Sequence, residues 1–174
     1  MIRKKKKYQR PKKAYEKARI EEENKLVEKY ALKNKKEIWK TIAKIKYFRN
    51  RAKELAKSVP EEQEVLFGKL RAIGLNTNSI ADVLNLKVED LLERRLPSIV
   101  FKKKLANTPK QARQMVVHKK ILIGERVTNI PSYFVRVDEE NKLSIKKKIK
   151  KAKTEEPKQE VQEQAKEIKQ GEEK

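Results

Sequence analysis

The stretch from Arg94 to Val135, RRLPSIVFKKKLANTPKQARQMVVHKKILIGERVTNIPSYFV, decides the fold because it carries a dense succession of structural signals. Pro97 suits the first turn of a helix, and Val100, Phe101 and Leu105 lie at the spacing of that helix's buried side. Lysines follow on the outer side. The sequence therefore predicts a short helix that packs by one side and presents positive charge on the other.

A second helix and a hairpin follow in the same stretch. Thr108 is a capping residue, Pro109 fits the first helical position, and Gln111 stands three residues after the cap, which together indicate a helix start. The apolar run Ile121–Ile123 predicts a strand, and Gly124 predicts a tight turn into a return strand. Two helices packed on a hairpin or small sheet are thus expected here.

Two different patterns follow the hairpin. Apolar and polar residues alternate over Tyr133–Val137, as in a half-buried strand. Residues 146–174 are mostly Lys, Glu and Gln without any aromatic residue. We expect the first segment to be a strand and the second to be a disordered charged tail.

The chain before the opening stretch predicts helices. Residues 14–57 contain no Gly or Pro, and Ile38, Ile42 and Ile45 form an apolar stripe at helical spacing that can dock on a neighbouring element. One or two long helices are expected in this part.

A helical subdomain is expected next. Ser58 as a cap and Pro60 at the first position predict a helix that ends at Gly74. Two short helices are predicted around residues 79–84 and 88–95.

These patterns predict an α+β fold that is mainly helical. The four predicted segments are a basic N-terminal extension and helical arm (1–59), a small helical subdomain (60–93), a nucleic-acid-binding module (94–145) and the charged tail (146–174).

Charge identifies the class of partner. The chain has 47 Lys and Arg against 25 Asp and Glu, a net charge of +22, and such self-repulsion persists where a polyanion neutralises it. Residues 1–59 alone hold 22 basic and 7 acidic side chains. A nucleic acid is therefore the predicted partner. A membrane is not expected, because no apolar run approaches the roughly 18 residues that span a bilayer.

The cations of the arm are predicted to contact phosphates. For any single one of them, a solvated helix surface is the competing interpretation. The predicted contacts from the arm are Lys4, Lys5, Lys6, Lys7, Arg10, Lys12, Lys13, Lys35, Lys36, Lys40, Arg49 and Arg51.

The composition is poor in residue types that enzymes and metal sites commonly use. The chain has no cysteine and one histidine, His118, so a thiol nucleophile, a thiolate zinc site or a His-based triad has few residues from which to be built. The absence of cysteine also fits a reducing compartment such as the cytoplasm. We expect no enzymatic activity, no small-molecule substrate and no cofactor, with magnesium expected only in association with the nucleic acid.

The signature TPKQARQ, followed by VH, a strand and NIPSY, resembles the S-four RNA-binding domain. The stretch LKNKKEIWKTIAKIKYFRNRAKEL is similar to the N-terminal helical region of the small-subunit ribosomal protein S-four family in its archaeal form. The resemblance covers most of residues 10–140. It implies direct binding to small-subunit ribosomal RNA, a part in nucleating assembly of the subunit body, and a contribution to translational accuracy.

The resemblance also implies partners and contact residues. Neighbouring small-subunit proteins, among them the S-five family protein, are expected beside the ribosomal RNA. From the residues themselves, Arg113 offers a planar fork for phosphate, and Lys110 lies near a helix N-terminus that favours anions. The RNA-binding residues implied by the motif are Arg94, Arg95, Lys102, Lys103, Lys104, Thr108, Lys110, Gln111, Arg113, Gln114, His118, Lys119 and Lys120.

The sequence departs from the family pattern at three places. Lysines occupy positions 104 and 119, where glycine is common in the family, so a backbone with positive φ would cost roughly 1 kcal/mol at each. The hairpin has Ile123 and Gly124 where Asn and Gly are frequent. The N-terminal cysteines that bind zinc in some bacterial relatives have no counterpart here.

Two other functions are compatible with parts of the sequence. Residues 79–96 resemble the paired helices of a helix-turn-helix DNA-binding regulator, although Glu89, Asp90 and Glu93 would then face a negatively charged groove. An RNA-modification or quality-control accessory factor could use the same RNA-binding module, but an enzyme would need a separate catalytic domain.

Overall fold

The structure is a computed structural model that describes residues 6–146. Two predicted phosphate contacts, Lys4 and Lys5, lie outside the described residues. So does the predicted tail, apart from its first residue.

Eight helices and three short strands form the described part of the chain, and the fold is α+β and mainly helical, as predicted. The helices are α1 (Lys17–Lys29), α2 (Lys35–Leu55), α3 (Pro60–Ala72), α4 (Ile80–Asn85), α5 (Val88–Glu93), α6 (Leu96–Lys102), α7 (Pro109–Val117) and α8 (Val137–Glu140). The strands are β1 (Ile121–Ile123), β2 (Arg126–Val127) and β3 (Leu143–Ile145). They form an antiparallel sheet in the order β2-β1-β3.

Local side-chain chemistry sets several helix starts. Thr108 Oγ1 accepts a hydrogen bond from the Gln111 amide at 3.2 Å, and Gln111 Oε1 accepts one from the Asn107 amide at 2.9 Å. Ser79 and Asp82 form a reciprocal capping box at the start of α4. These bonds satisfy amide groups that a helix leaves without partners at its first turn.

Three hydrophobic clusters hold the helices together. The first packs α2 against the subdomain helices through Ile45, Ala52, Leu55, Leu66, Phe67, Leu70, Leu75, Val83, Leu86 and Leu91. The second lies between α6, α7 and β1 and contains Leu96, Ile99, Val100, Ala106, Ala112, Val116, Ile121 and Val135. The third joins α1, α2 and α5 through Tyr30, Leu32, Ile38 and Leu92. Helix α2 therefore belongs to two cores and is not a detached arm.

The hydrophobic clusters meet at α5, where two consecutive leucines belong to different clusters. Leu91 and Leu92 are both fully buried, yet Leu91 packs in the first cluster and Leu92 in the third. Leu96, four residues later, belongs to the second. The segment from α5 to α6 is thus the place where arm, subdomain and module meet.

The predicted strand over Tyr133–Val137 was wrong. The amide of Leu96 donates to the carbonyl of Tyr133 at 2.8 Å, and the amide of Val135 donates to the carbonyl of Arg94 at 3.1 Å. Residues 94–96 lead directly into α6, so this pairing cannot extend into a ladder. The third strand is β3, which pairs with β1.

Two smaller expectations also failed. Ser58 does not cap α3, because the N-cap is Val59 and no side chain accepts a hydrogen bond there. Ile42 is 45% exposed, since it lies at the edge of the buried side of α2, which carries Ile38, Thr41 and Ile45.

Lys104 and Lys119 adopt the left-handed backbone expected at glycine positions, with φ of 56° and 57°. At each site the following amide bonds the carbonyl five residues back: Leu105 to Val100 at 3.1 Å and Lys120 to Met115 at 2.9 Å. This pattern is the Schellman motif, in which the residue of positive φ is usually glycine. Both lysines therefore end their helices at a conformational cost.

Glycine at either position should stabilise the free protein. We expect Lys104→Gly and Lys119→Gly each to raise the free energy of unfolding by about 1 kcal/mol, because glycine adopts positive φ without strain. Urea unfolding without RNA measures the change. Lys120→Gly is the control, since it removes the same charge at a residue without positive φ. An equal gain for Lys120→Gly would contradict the strain argument.

Candidate RNA-binding surface

The exposed side of α7 and the two turns around it form the candidate surface, which we call the α7 face. Its members are polar or basic, and they lie either on α7, away from buried Ala112 and Val116, or in the turns at its two ends. They are Lys104, Thr108, Lys110, Gln111, Gln114, His118, Lys119 and Lys120, all exposed. The structure thus brings eight of the thirteen residues predicted from the motif to one exposed helix and its ends.

Lys102 and Lys103 lie beside this face but already have partners. Lys102 Nζ donates to Glu93 at 2.7 Å, which holds the pKa of Glu93 below its usual value. Lys103 Nζ donates to the carbonyl of Glu140. Contact with RNA would require each lysine to exchange or share that partner.

Arg94 joins the helical subdomain to the module. Its Nε donates to the carbonyl of Ile73 at 2.6 Å and its Nη2 donates to Glu140 at 2.9 Å. The guanidinium lies against Gly74, where an added Cβ would come within 2.5 Å of the Arg94 Cζ. Gly74 also has a φ of 87° as it ends α3. Arg94 is therefore positioned chiefly by bonds within the chain.

Arg95 and Arg113 meet across the carboxylate of Glu37. Arg95 Nη2 donates to Glu37 Oε2 at 2.6 Å, and Arg113 donates to both oxygens at 3.1 and 2.7 Å. Only 5% of the Arg95 side chain is exposed, against 19% for Arg113 and Glu37. RNA contact by Arg95 stays a prediction, and its burial and its bond to Glu37 leave little of its side chain accessible.

We call these three residues the Glu37 ion cluster. Burial acts to raise the pKa of Glu37, but hydrogen bonds and charge from Arg113 and Arg95 outweigh it, so the pKa lies below the usual 4.5. Glu37 escaped sequence reasoning, because one acidic residue in a lysine-rich helix resembles ordinary exposed surface. The available signal was its place in the first turn of α2, where a carboxylate is favoured by the helix dipole.

The predicted cations of the arm differ in their surroundings. Two of them bond within the protein: Arg49 donates to the carbonyl of Leu86 at 2.8 Å, and Lys35 is paired with Glu23 at 3.5 Å. Arg51 is exposed and paired with Glu54 at 3.2 Å on the same helix. The remaining described cations predicted to contact phosphate are exposed, and they are Lys6, Lys7, Arg10, Lys12, Lys13, Lys36 and Lys40.

Comparisons with known proteins identify the family of the chain. Residues 94–141 match the S4 domain family, the S-four RNA-binding domain suggested by the motif. The chain is 43% identical over 148 residues to small ribosomal subunit protein uS4 of Methanosphaerula palustris, with 79% of this chain and 82% of that protein covered. The chain belongs to the uS4 family. Small ribosomal subunit protein uS4 of Saccharolobus islandicus is 46% identical over 144 residues, which cover 78% of this chain and 79% of the relative.

Two negative findings concern the described residues only. Within residues 6–146 no three His, Asp or Glu side chains come together in a group that could hold a metal ion. No helix in this part of the uS4 chain combines the length and apolar character needed to cross a membrane.

Removing the charge of Glu37 should destabilise the protein. Glu37→Gln leaves two guanidiniums without their shared anion, and we expect a loss of about 3 kcal/mol in the free energy of unfolding at pH 7. Because folding lowers the pKa of Glu37, its stabilisation is present above about pH 4.5 and is lost as pH falls through the lower folded-state value. The difference between variant and wild type should therefore shrink towards pH 3.5.

Urea unfolding between pH 7 and 3.5 measures both effects. Glu54→Gln is the matched control, since Glu54 lies on the same helix and pairs with Arg51 at an exposed site; such pairs contribute little. A loss at pH 7 no larger than that of the control would contradict the structural role of Glu37.

Proposed function

We propose that this protein is a structural component of the small ribosomal subunit that binds small-subunit ribosomal RNA directly. The observation that carries the proposal is the exposed α7 face within the matched S4 domain, in a chain similar over most of its length to uS4 proteins. Rigid helix ends aim the cations and amides of this face, so the protein can bind phosphates in a defined register. In this proposal it acts in the cytoplasm, within the ribosome.

The four-segment division of the chain stays a proposal, and the cores refine it. Helix α2 packs with the subdomain through Ile45, Ala52 and Leu55, and with α1 and α5 through Ile38. The arm and the module are also tied by the Glu37 ion cluster. Cations on both therefore stand at fixed positions relative to one another.

Fixed cations on two segments suggest how the protein acts on RNA. An RNA junction whose arms contact the α2 side and the α7 face at once would be held at one angle, because the Glu37 ion cluster joins the two segments. We infer that binding favours the folded junction and so promotes assembly of the subunit body. A contribution to translational accuracy would follow from holding that RNA in place.

The proposed partners are ribosomal RNA and neighbouring small-subunit proteins, among them the S-five family protein. No catalytic role is proposed. His118, the one histidine of the sequence, lies exposed at the end of α7, a position suited to RNA contact. We propose no protein-bound cofactor, and magnesium would accompany the RNA.

The helix-turn-helix alternative lacks an exposed recognition helix. Leu91 and Leu92 lie on two sides of α5, and both are fully buried. Glu89 pairs with Lys29 at 2.6 Å, and Glu93 accepts from Lys102 at 2.7 Å. The outward polar groups of α5 are thus carboxylates, which repel a DNA groove.

Binding to ribosomal RNA should exceed binding to duplex DNA of equal length at every salt concentration. Both affinities should fall as salt rises, because phosphate contacts release counterions. The difference should persist at high salt, where contacts that require RNA shape remain. Equilibrium titrations across a salt series measure this, and equal affinities throughout would overturn the proposal.

Loss of two cations from the α7 face should weaken RNA binding more than loss of two cations elsewhere. Lys110→Ala with Lys120→Ala is expected to lower affinity for small-subunit ribosomal RNA about tenfold and to reduce the salt slope by about two. Lys57→Ala with Lys69→Ala is the charge-matched control, since both residues are exposed and belong to the turn after α2 and to α3, not to the α7 face. Equal losses would mean that total charge, and not its position, governs binding.

A further inference from the structure

A groove of about 1030 Å³ lies between α2 and the loop that contains Pro131, Ser132 and Phe134. None of the residues of the α7 face lines it. Its walls combine cations and aromatic rings, principally Lys7, Lys40, Lys44, Tyr47, Arg113 and Phe134. The volume is at the upper end of the range for sites that bind small molecules, and so is ample for a nucleotide.

Positive charge in this groove exceeds what the protein neutralises. Glu37 is the one carboxylate among the residues that line it, and it is already shared by Arg95 and Arg113. Arg95 Nη1 is buried without a hydrogen-bond partner. Within residues 6–146, the ion pairs include none made by Lys7, Lys40 or Lys44. The groove therefore presents three further lysines to an anion.

Lys44 is the most constrained of these lysines. Its Nζ lies 3.7 Å from the centroid of the Phe134 ring, and burial lowers the pKa of the amine. A partly desolvated ammonium without a carboxylate gains more from a nearby anion than an exposed one does. The site is thus suited to a negative group that enters from outside.

Tyr47 forms the aromatic edge of the groove. It is 64% exposed, which is unusual for a large ring and leaves it open to contact. An exposed ring beside lysines is the arrangement that binds unpaired nucleotides, because the base stacks on the ring while the phosphate meets the cations. A duplex keeps its bases stacked inside and offers only the phosphate.

We propose that this groove binds an unpaired nucleotide of RNA, with Lys40 and Lys44 at its phosphate and Tyr47 stacked on its base. The inference deepens the proposed function, on which it rests, by adding a single-stranded element to the RNA that the protein holds. An acidic protein segment would satisfy the lysines but has no need of the exposed ring, so RNA is the better match.

Binding of the full chain to an unstructured RNA 12-mer and to the duplex of the same RNA tests the inference. Tyr47→Ala should lower affinity for the single strand about tenfold and leave duplex affinity within about twofold. Lys40→Ala should weaken single-strand binding more than Lys53→Ala, an exposed lysine of the same helix. Tyr15→Ala is the control for Tyr47→Ala, since Tyr15 is 95% exposed and lies outside the groove.

Three results would overturn the inference. One is equal weakening by Tyr47→Ala and Tyr15→Ala, and another is equal loss for single strand and duplex. The third is displacement of the single strand by polyglutamate with the same efficiency from wild type and Tyr47→Ala, which would mean that the ring adds nothing to RNA affinity and that charge alone holds the strand. Thermal melts confirm that each variant is folded.

Failure of this inference can be told from failure of the proposed function. If binding to small-subunit ribosomal RNA depends on Lys110 and Lys120 but not on Tyr47, only the inference about the groove fails. Ribosomal RNA binding that is insensitive to all three residues would remove both the groove and the α7 face as binding surfaces. Equal affinity for ribosomal RNA and duplex DNA at every salt concentration would remove the proposed function itself.

Discussion

The carboxylate of Glu37, held between Arg95 and Arg113, is the interaction on which the arrangement of the molecule depends. It connects the first turn of α2 to the start of α6 and to the middle of α7. Two guanidiniums so close together would repel each other, and a buried carboxylate alone would pay a large desolvation cost. Each charge is tolerable only because the other two are present, so the three elements must come together as a unit.

The basic residues are of two kinds, those that bond to groups of the protein and those that are exposed. Arg94 and Arg95, at the head of the S4 domain, bond to groups of the protein and fix how arm, subdomain and module meet. The lysines of the α7 face, by contrast, stand exposed at helix ends. Arginine suits the first task because its planar fork can bind several acceptors at once, and lysine suits the second because its flexible stem reaches a phosphate without fixed geometry.

Sequence reasoning found the elements that local signals determine and missed those that depend on distant contacts. The starts of α4 and α7 and the end at Gly74 follow from capping signals, which act within a few residues. The positive φ of Lys104 and Lys119 was implied by the glycines common at those positions in the family. The strand expected over Tyr133–Val137 has the correct alternation, but its backbone bonds to residues 94–96 instead. The Glu37 ion cluster spans 58 and 76 positions, and no local pattern reveals such pairing.

The separation of Glu37 from its partners also orders events during synthesis. The acidic member is made first, and Arg95 follows 58 residues later. Until Arg113 has been added, 76 residues after Glu37, the third charge of the cluster is missing and α2 cannot bind the module in its final way. The cations of the arm are therefore synthesised before the contact that joins α2 to the module can form, and the cluster closes only once its last member is present.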